Sequence, residues 1–174
     1  SAPDWPLGVT QAVNAPQGVS VAYTDSIPLL AVLCRPLAAA LGGTFQYFGW
    51  FTLVCFALQG GFAALLCGLF AEGLATPLAG SLVFAASPIL LERAFRHTSL
   101  GAQWLVLAAL YCYFVCRRQS RFASRGLFVI NILAVGIHPY FLPMTYAVTL
   151  ALLLEYAVQK RQWLRPAVYL GSNM

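Results

Sequence analysis

The run FQYFGWFTLVCFALQGGFAALLCGLF, residues 45–70, contains no Asp, Glu, Lys, Arg or His. A helix needs roughly 20 apolar residues to cross the hydrocarbon of a bilayer, and this stretch supplies them without a break. Phe45, Tyr47, Phe48 and Trp50 at its start are the aromatic types that gather at membrane–water interfaces. The rest of the chain agrees. Of its 174 residues 60% are hydrophobic and 9% charged, and its mean hydropathy is +0.76. Soluble domains are about one quarter charged, so this composition cannot furnish a conventional polar surface. Backbone groups in lipid must be satisfied within each span, and the short alternating segments of a membrane barrel are absent. The fold class read from these features is all-α, a polytopic integral membrane helical bundle.

Working outward from this span, residues 1–26 are rich in Pro, Gly, Ser, Thr, Asn and Gln and read as an extramembrane loop. Residues 27–41 are apolar, but too short to span and interrupted by Arg35-Pro36. They read as a helix lying at the interface or re-entering it. After the 45–70 span, LATPLAGSLVFAASPILL at 74–91 reads as a second, with Pro77 and Pro88 near its ends. A polar patch, ERAFRHTSLGAQ, occupies 92–103, and a third span covers about 99–116. His138-Pro139 breaks the long apolar stretch that follows into two helices, about 123–137 and 141–158. The expectation is about five transmembrane helices plus an interfacial helix, in one domain over 1–174. Residues 1–44 form the outer-face loop and interfacial helix, and 45–174 the transmembrane helices. The chain begins at Ser1 with no signal-peptide pattern and ends at GSNM just after an apolar turn, so a segment of a longer polypeptide is expected.

Charge orients the bundle. Arg117, Arg118, Arg121 and Arg125 fill one loop, and Lys160, Arg161 and Arg165 another, which is seven of the ten basic residues. One helical hairpin separates these loops, so both lie on one side, and the positive-inside rule makes that side the cytoplasm. The net charge of +5 is thus loop charge, and no nucleic-acid partner is expected. The implied location is the bacterial cytoplasmic (inner) membrane, with basic loops 117–125 and 159–166 cytoplasmic. The five cysteines, Cys34, Cys55, Cys67, Cys112 and Cys116, all lie in apolar runs without a paired CxxC or a His partner. They read as small packing residues rather than metal ligands.

That topology sends Asp4, Asp25, Arg35, Glu92, Arg93, Arg96, His97 and His138 to the opposite, outer face. Ionisable groups near membrane depth are expensive unless paired or hydrated, so several at one level point to a polar cavity or interface. Each also has a plainer reading. Asp25, ahead of Ser26-Ile27-Pro28, fits a helix N-terminus with Pro in the first turn. Glu92, Arg93 and Arg96 fit a snorkelling cluster at a helix end, with His97 capping or hydrating the same turn. His138-Pro139-Tyr140 fits a hairpin turn. No phosphate-binding glycine loop or nucleophile elbow is present, so the functional reading rests on convergence.

Four stretches, TDSIPLLAVLCRPL, FQYFGWF, ERAFRHTSLGAQW and GIHPYFLPM, resemble an uncharacterised family of bacterial polytopic membrane proteins. The resemblance covers most of residues 18–158. An acid in the first outer loop, then an interfacial helix, then spans returning to that loop, is also the layout of the GT-C superfamily of membrane glycosyltransferases. This second resemblance implies an N-terminal part of an enzyme that passes a sugar from a polyprenyl-phosphate carrier to an acceptor at the outer face. It implies that Asp25 is the general base or a metal-associated carboxylate. Many relatives carry an acidic pair at that place, whereas Asp25 is flanked by Thr24 and Ser26, which leaves a divalent metal cofactor open. Arg35, Arg93 and Arg96 would bind the carrier phosphate, and Glu92, His97, His138 and Tyr140 complete the substrate-binding set. The expected partners are the lipid bilayer and the lipid-linked sugar donor. The alternative is a non-enzymatic integral membrane subunit packed against partner helices in a larger complex; faces such as Gly60-Gly61, Ala64 and Gly68 suit close helix packing in either case. A transporter or flippase fragment is a third reading, on the strength of intramembrane Gln59 and the break at His138-Pro139.

Overall fold

The computed structural model describes residues 9–10, 15–20, 24–42, 45–119 and 124–160. Asp4, Arg121, Arg161 and Arg165 lie outside the described residues. A two-residue antiparallel pair, β1 (Val9–Thr10) with β2 (Val19–Ser20), precedes an all-α body. Its helices are α1 (Pro28–Ala40), α2 (Phe48–Gly68), α3 (Ala75–Ala85), α4 (Pro88–Arg96), α5 (Trp104–Arg118), α6 (Ser124–Ile137) and α7 (Phe141–Lys160). A 3-10 turn, Thr98–Gly101, joins α4 to α5.

Among the described residues three helical stretches are long and apolar enough to cross a membrane: Phe48–Gly68, Thr98–Arg118 and Phe141–Val158. These match the spans read at 45–70, 99–116 and 141–158. The second expected span differs. Residues 74–91 do not run as one helix, because α3 stops at Ala85 and α4 starts at Pro88, with a bend of 41° between them. The cause is local. Proline disfavours helical backbone at the residue before it, and Ser87 is extended at φ −62°, ψ 134°. Ser87 then caps α4, its Oγ accepting from the Leu90 N–H at 3.4 Å. Glu92, Arg93 and Arg96 consequently ride on α4, with Arg93 and Arg96 in its last turn, at a helix end as expected. With the bent pair counted as one span the number rises to four, and α6, at 14 residues, is shorter than the roughly 20 a full crossing requires.

Helix α5 lies at the centre, with Leu105, Leu107, Ala108, Ala109 and Cys116 buried. Phe51 and Cys55 from α2, Leu127, Ile130 and Ala134 from α6, and Phe141 and Leu152 from α7 close around it. Helix α3 packs on α2 at close range. A Cβ on Gly60 would come within 2.8 Å of Ser81 Oγ, and one on Gly80 within 2.5 Å of Cys67 Sγ. Small residues let two backbones approach this closely, which is how helices associate where no water drives them together.

The C-terminal ends of α2, α5 and α7 meet. The Arg118 guanidinium donates to the Leu69 carbonyl and lies 5.4 Å over the Phe70 ring. Arg117 Nε pairs with Glu155 Oε1 at 3.0 Å, and the Tyr113 hydroxyl donates to Glu155 Oε2 at 2.7 Å. The α3–α4 pair and α6 return the chain, so residues 97–101 and 138–140 fall at the other end.

Candidate functional site: a carboxylate pinned beside two cavities

Asp25 does not cap α1. The residue at the N-cap position is Ile27, whose backbone precedes Pro28 and whose side chain makes no capping hydrogen bond. Proline at N1 removes one of the donors that a cap would serve. The carboxylate reaches instead to a residue 74 positions away: Ser99 donates to Asp25 Oδ1 from its backbone N–H, at 3.2 Å, and from its hydroxyl. Ser99 is fully buried in the 3-10 turn. Two donors converging on one oxygen fix a carboxylate's position.

Asp25 opens onto a cavity of about 490 Å³ that it lines with Thr24, Arg93, His97 and His138. Leu100, Pro139 and Tyr140 complete the wall. Four elements therefore supply it: the turn before α1, helix α4, the 3-10 turn with His97 ahead of it, and the α6–α7 connection. His138 Nδ1 accepts from the Tyr140 N–H at 3.3 Å, and the Tyr140 ring stands edge-on to the imidazole at 4.8 Å. Burial holds the His138 pKa below its ordinary value, and the nearby Asp25 charge opposes that shift without reversing it. With Nδ1 accepting, the proton of the neutral ring sits on Nε2, which makes that atom a donor. Among the described residues Arg93 makes no ion pair with an acid.

A second cavity, of about 550 Å³, adjoins the first, and Arg93, Leu100 and Tyr140 line both. Its other walls are mostly apolar, with Phe84, Ile89, Val106, Leu107, Phe141 and Met144, and carry Gln59, Ser87 and Gln103. A polar chamber and an apolar one thus share a side, with a guanidinium at the join.

Of the eight candidate residues, the structure brings five to the first cavity: Asp25, Arg93, His97, His138 and Tyr140. Arg35, Glu92 and Arg96 are exposed and line neither cavity. Arg35 projects from α1, among whose residues none is buried. Among the described residues no three His, Cys, Asp or Glu side chains gather closely enough to hold a metal ion, although Asp25, His97 and His138 share a wall. Ser99 was within reach of sequence reasoning only as part of the polar run HTSLG, since nothing in linear order links it to Asp25.

No curated protein and no solved structure matches the chain. A family described as "Domain of unknown function (DUF6311)" matches it over residues 1–174. From its first residue to its last, the chain belongs to that family.

Proposed function

We propose that this chain is a GT-C-type membrane glycosyltransferase, or the N-terminal portion of one, that moves a sugar from a polyprenyl-phosphate carrier to an acceptor hydroxyl at the outer face of the bacterial inner membrane. One observation carries the reading: a carboxylate aligned by Ser99 and a guanidinium without an acidic partner among the described residues line one cavity, which abuts an apolar one. An amphipathic substrate needs that pairing of environments. The positive-inside orientation, with loops 117–125 and 159–166 cytoplasmic, belongs to the same proposal.

In the reaction the acceptor oxygen attacks the sugar's anomeric carbon. The bond from that carbon to the phosphate oxygen breaks, and the phosphate leaves with the electron pair. The acceptor proton passes to the Asp25 carboxylate, which Ser99 holds in place. Negative charge develops on the departing phosphate, and stabilising it is the main electrostatic task. Arg93 answers it with a charge-assisted pair of hydrogen bonds, and the Nε2–H of neutral His138 provides a further donor at the same cavity.

The test is transfer of sugar from a polyprenyl-phosphate donor by membranes containing the Asp25→Asn protein, with insertion and abundance measured alongside. Loss of transfer at normal abundance is expected. Transfer at the parental rate would remove Asp25 from the mechanism. The second reading, a non-enzymatic subunit, is favoured by α3: it has no buried residue, and Leu78, Leu82 and Val83 stand exposed on it. Parental membranes that never transfer sugar, together with co-purifying membrane proteins that cross-link to α3, would favour that reading.

A further inference from the structure

The apolar cavity has a closed floor and an open side. Leu107 of α5 and Phe141 of α7 make its floor, at 7% and 4% exposure, whereas Ile89 of α4 and Met144 of α7 stand at its edge, at 62% and 54%. Phe84, Ser87 and Ile89 straddle the break between α3 and α4, so the bend itself forms one wall. The opening therefore lies between the bent pair and α7. Both are apolar enough to cross a membrane, and in a bilayer an opening between two such elements faces hydrocarbon rather than water. At one side of the cavity stands the Arg93 guanidinium, shared with the polar chamber and without an acidic partner among the described residues. A cation near membrane depth is costly unless an anion meets it.

We infer that the apolar cavity seats a single-phosphate lipid, whose hydrocarbon chain enters sideways from the outer leaflet past Ile89 and Met144 and whose phosphate rests on Arg93. A guanidinium grips a phosphate through two parallel hydrogen bonds. Phosphate is the better matched head, because it keeps an oxygen for the Nε2–H of His138, which lines the adjoining chamber, whereas a carboxylate spends both of its oxygens on Arg93. A volume of about 550 Å³ falls among ordinary small-ligand sites, which run from about 300 to 1,000 Å³. The cavity thus holds the part of the chain next to the head, and the remainder stays in the bilayer. The assignment rests on the transferase reading for the lipid's identity as the sugar carrier, and it adds where the chain sits and how it arrives.

The experiment places the full-length protein in phosphatidylcholine nanodiscs with a photoactivatable long-chain alkyl phosphate, its diazirine at mid-chain, and maps the labelled residues. Saturable labelling at Leu107, Phe141 or Met144 is expected. Unlabelled alkyl phosphate is expected to displace the probe at a bilayer mole fraction about ten- to a hundredfold below that of the alkanol of the same chain, the usual effect of a hydrogen bond to a charged group. The fatty acid of the same chain should compete less well than the phosphate, and inorganic phosphate should not displace the probe. Arg93→Gln is expected to erase the advantage over the alkanol. Ile89→Trp and Met144→Trp change exposed residues, narrow the opening and should reduce labelling, whereas Leu82→Trp, exposed on α3 outside the cavity, should not. Equal displacement by phosphate and alkanol, an equally effective fatty acid, displacement by inorganic phosphate, or labelling undiminished in both edge variants would overturn the inference. Asp25→Asn is expected to keep the labelling, so failure of the transfer reaction and failure of this assignment are separate results.

Discussion

Glu155 and Asp25 are both carboxylates held by partners on other elements, and they are held in opposite ways. Glu155 takes the Tyr113 hydroxyl on one oxygen and Arg117 on the other, tying α7 to α5. Its charge is met by a cation, and the pair is part-solvated, with Arg117 57% and Glu155 22% exposed. Asp25 takes both of its Ser99 hydrogen bonds on Oδ1 and has no ion-pair partner among the described residues. One carboxylate is paired with a cation, and the other is aligned by hydrogen bonds. A structural tie needs only the first arrangement. A carboxylate that works on a substrate needs the second, in which its position is set without a cation bound to it.

The contrast can be broken by exchange of effects, starting with the largest. Asp25→Asn keeps the shape and the oxygen that Ser99 grips but removes the base, and transfer is expected to fall by about 10²- to 10⁴-fold. Arg93→Gln removes the cation at the join of the cavities. A hydrogen bond to a charged group is worth about 1.5–3 kcal/mol, so transfer should drop by about ten- to a hundredfold, read as kcat/KM for the phosphate-linked donor. Ser99→Ala leaves the backbone donor in place and removes the hydroxyl, and about a tenfold fall in kcat is expected from the same range. If Ser99→Ala leaves kcat untouched, the alignment of Asp25 contributes nothing to turnover.

At the other end Glu155→Gln should leave transfer unchanged. A part-exposed pair contributes roughly 0–1 kcal/mol, so only a small fall in thermal midpoint in detergent is expected. A loss of activity there would erase the distinction drawn between the two carboxylates.

The smallest effect is the pH dependence of His138. Its folded pKa lies below the ordinary histidine value because burial disfavours the cation. The unfolded chain then takes up the proton first as pH falls. The stability His138 contributes is whole above the unfolded pKa of about 6.5 and is lost as pH drops through the folded value. A thermal midpoint that declines in weakly acidic buffer, and declines less in His138→Gln, is the expected observation.

How far these features could be read from the chain depends on the range of the forces behind them. The long helices at α2, α5 and α7 are written in the hydropathy of their own segments, because a bilayer would act on each segment separately. The α3–α4 break was hidden for the same reason: the apolar run continues through Ala85-Ala86-Ser87-Pro88, and average hydropathy is blind to a proline that ends one helix and starts the next. Arg93, His97 and His138 could be grouped with Asp25 because ionisable side chains are rare here and topology sends them to one end. Their separation from Arg35, Glu92 and Arg96 could not, since that depends on which side of a short helix meets the cavity. Asp25 itself was misplaced as a cap by its closeness in sequence to Pro28. Its true partner is 74 residues off, and only the folded α4–α5 connection brings Ser99 to it.

Helix α6 has a further consequence. Its 14 residues rise about 21 Å at 1.5 Å each, against a hydrocarbon core of about 30 Å. Hydrophobic mismatch of that size is met by local thinning of the bilayer or by water entering above the short element. In the proposed orientation His138, at the end of α6, would stand below the plane that the longer α2 reaches. The mouth of the first cavity would then lie in a dimple of the outer leaflet, level with lipid headgroups, and a lipid-borne molecule could slide into it sideways without leaving the membrane.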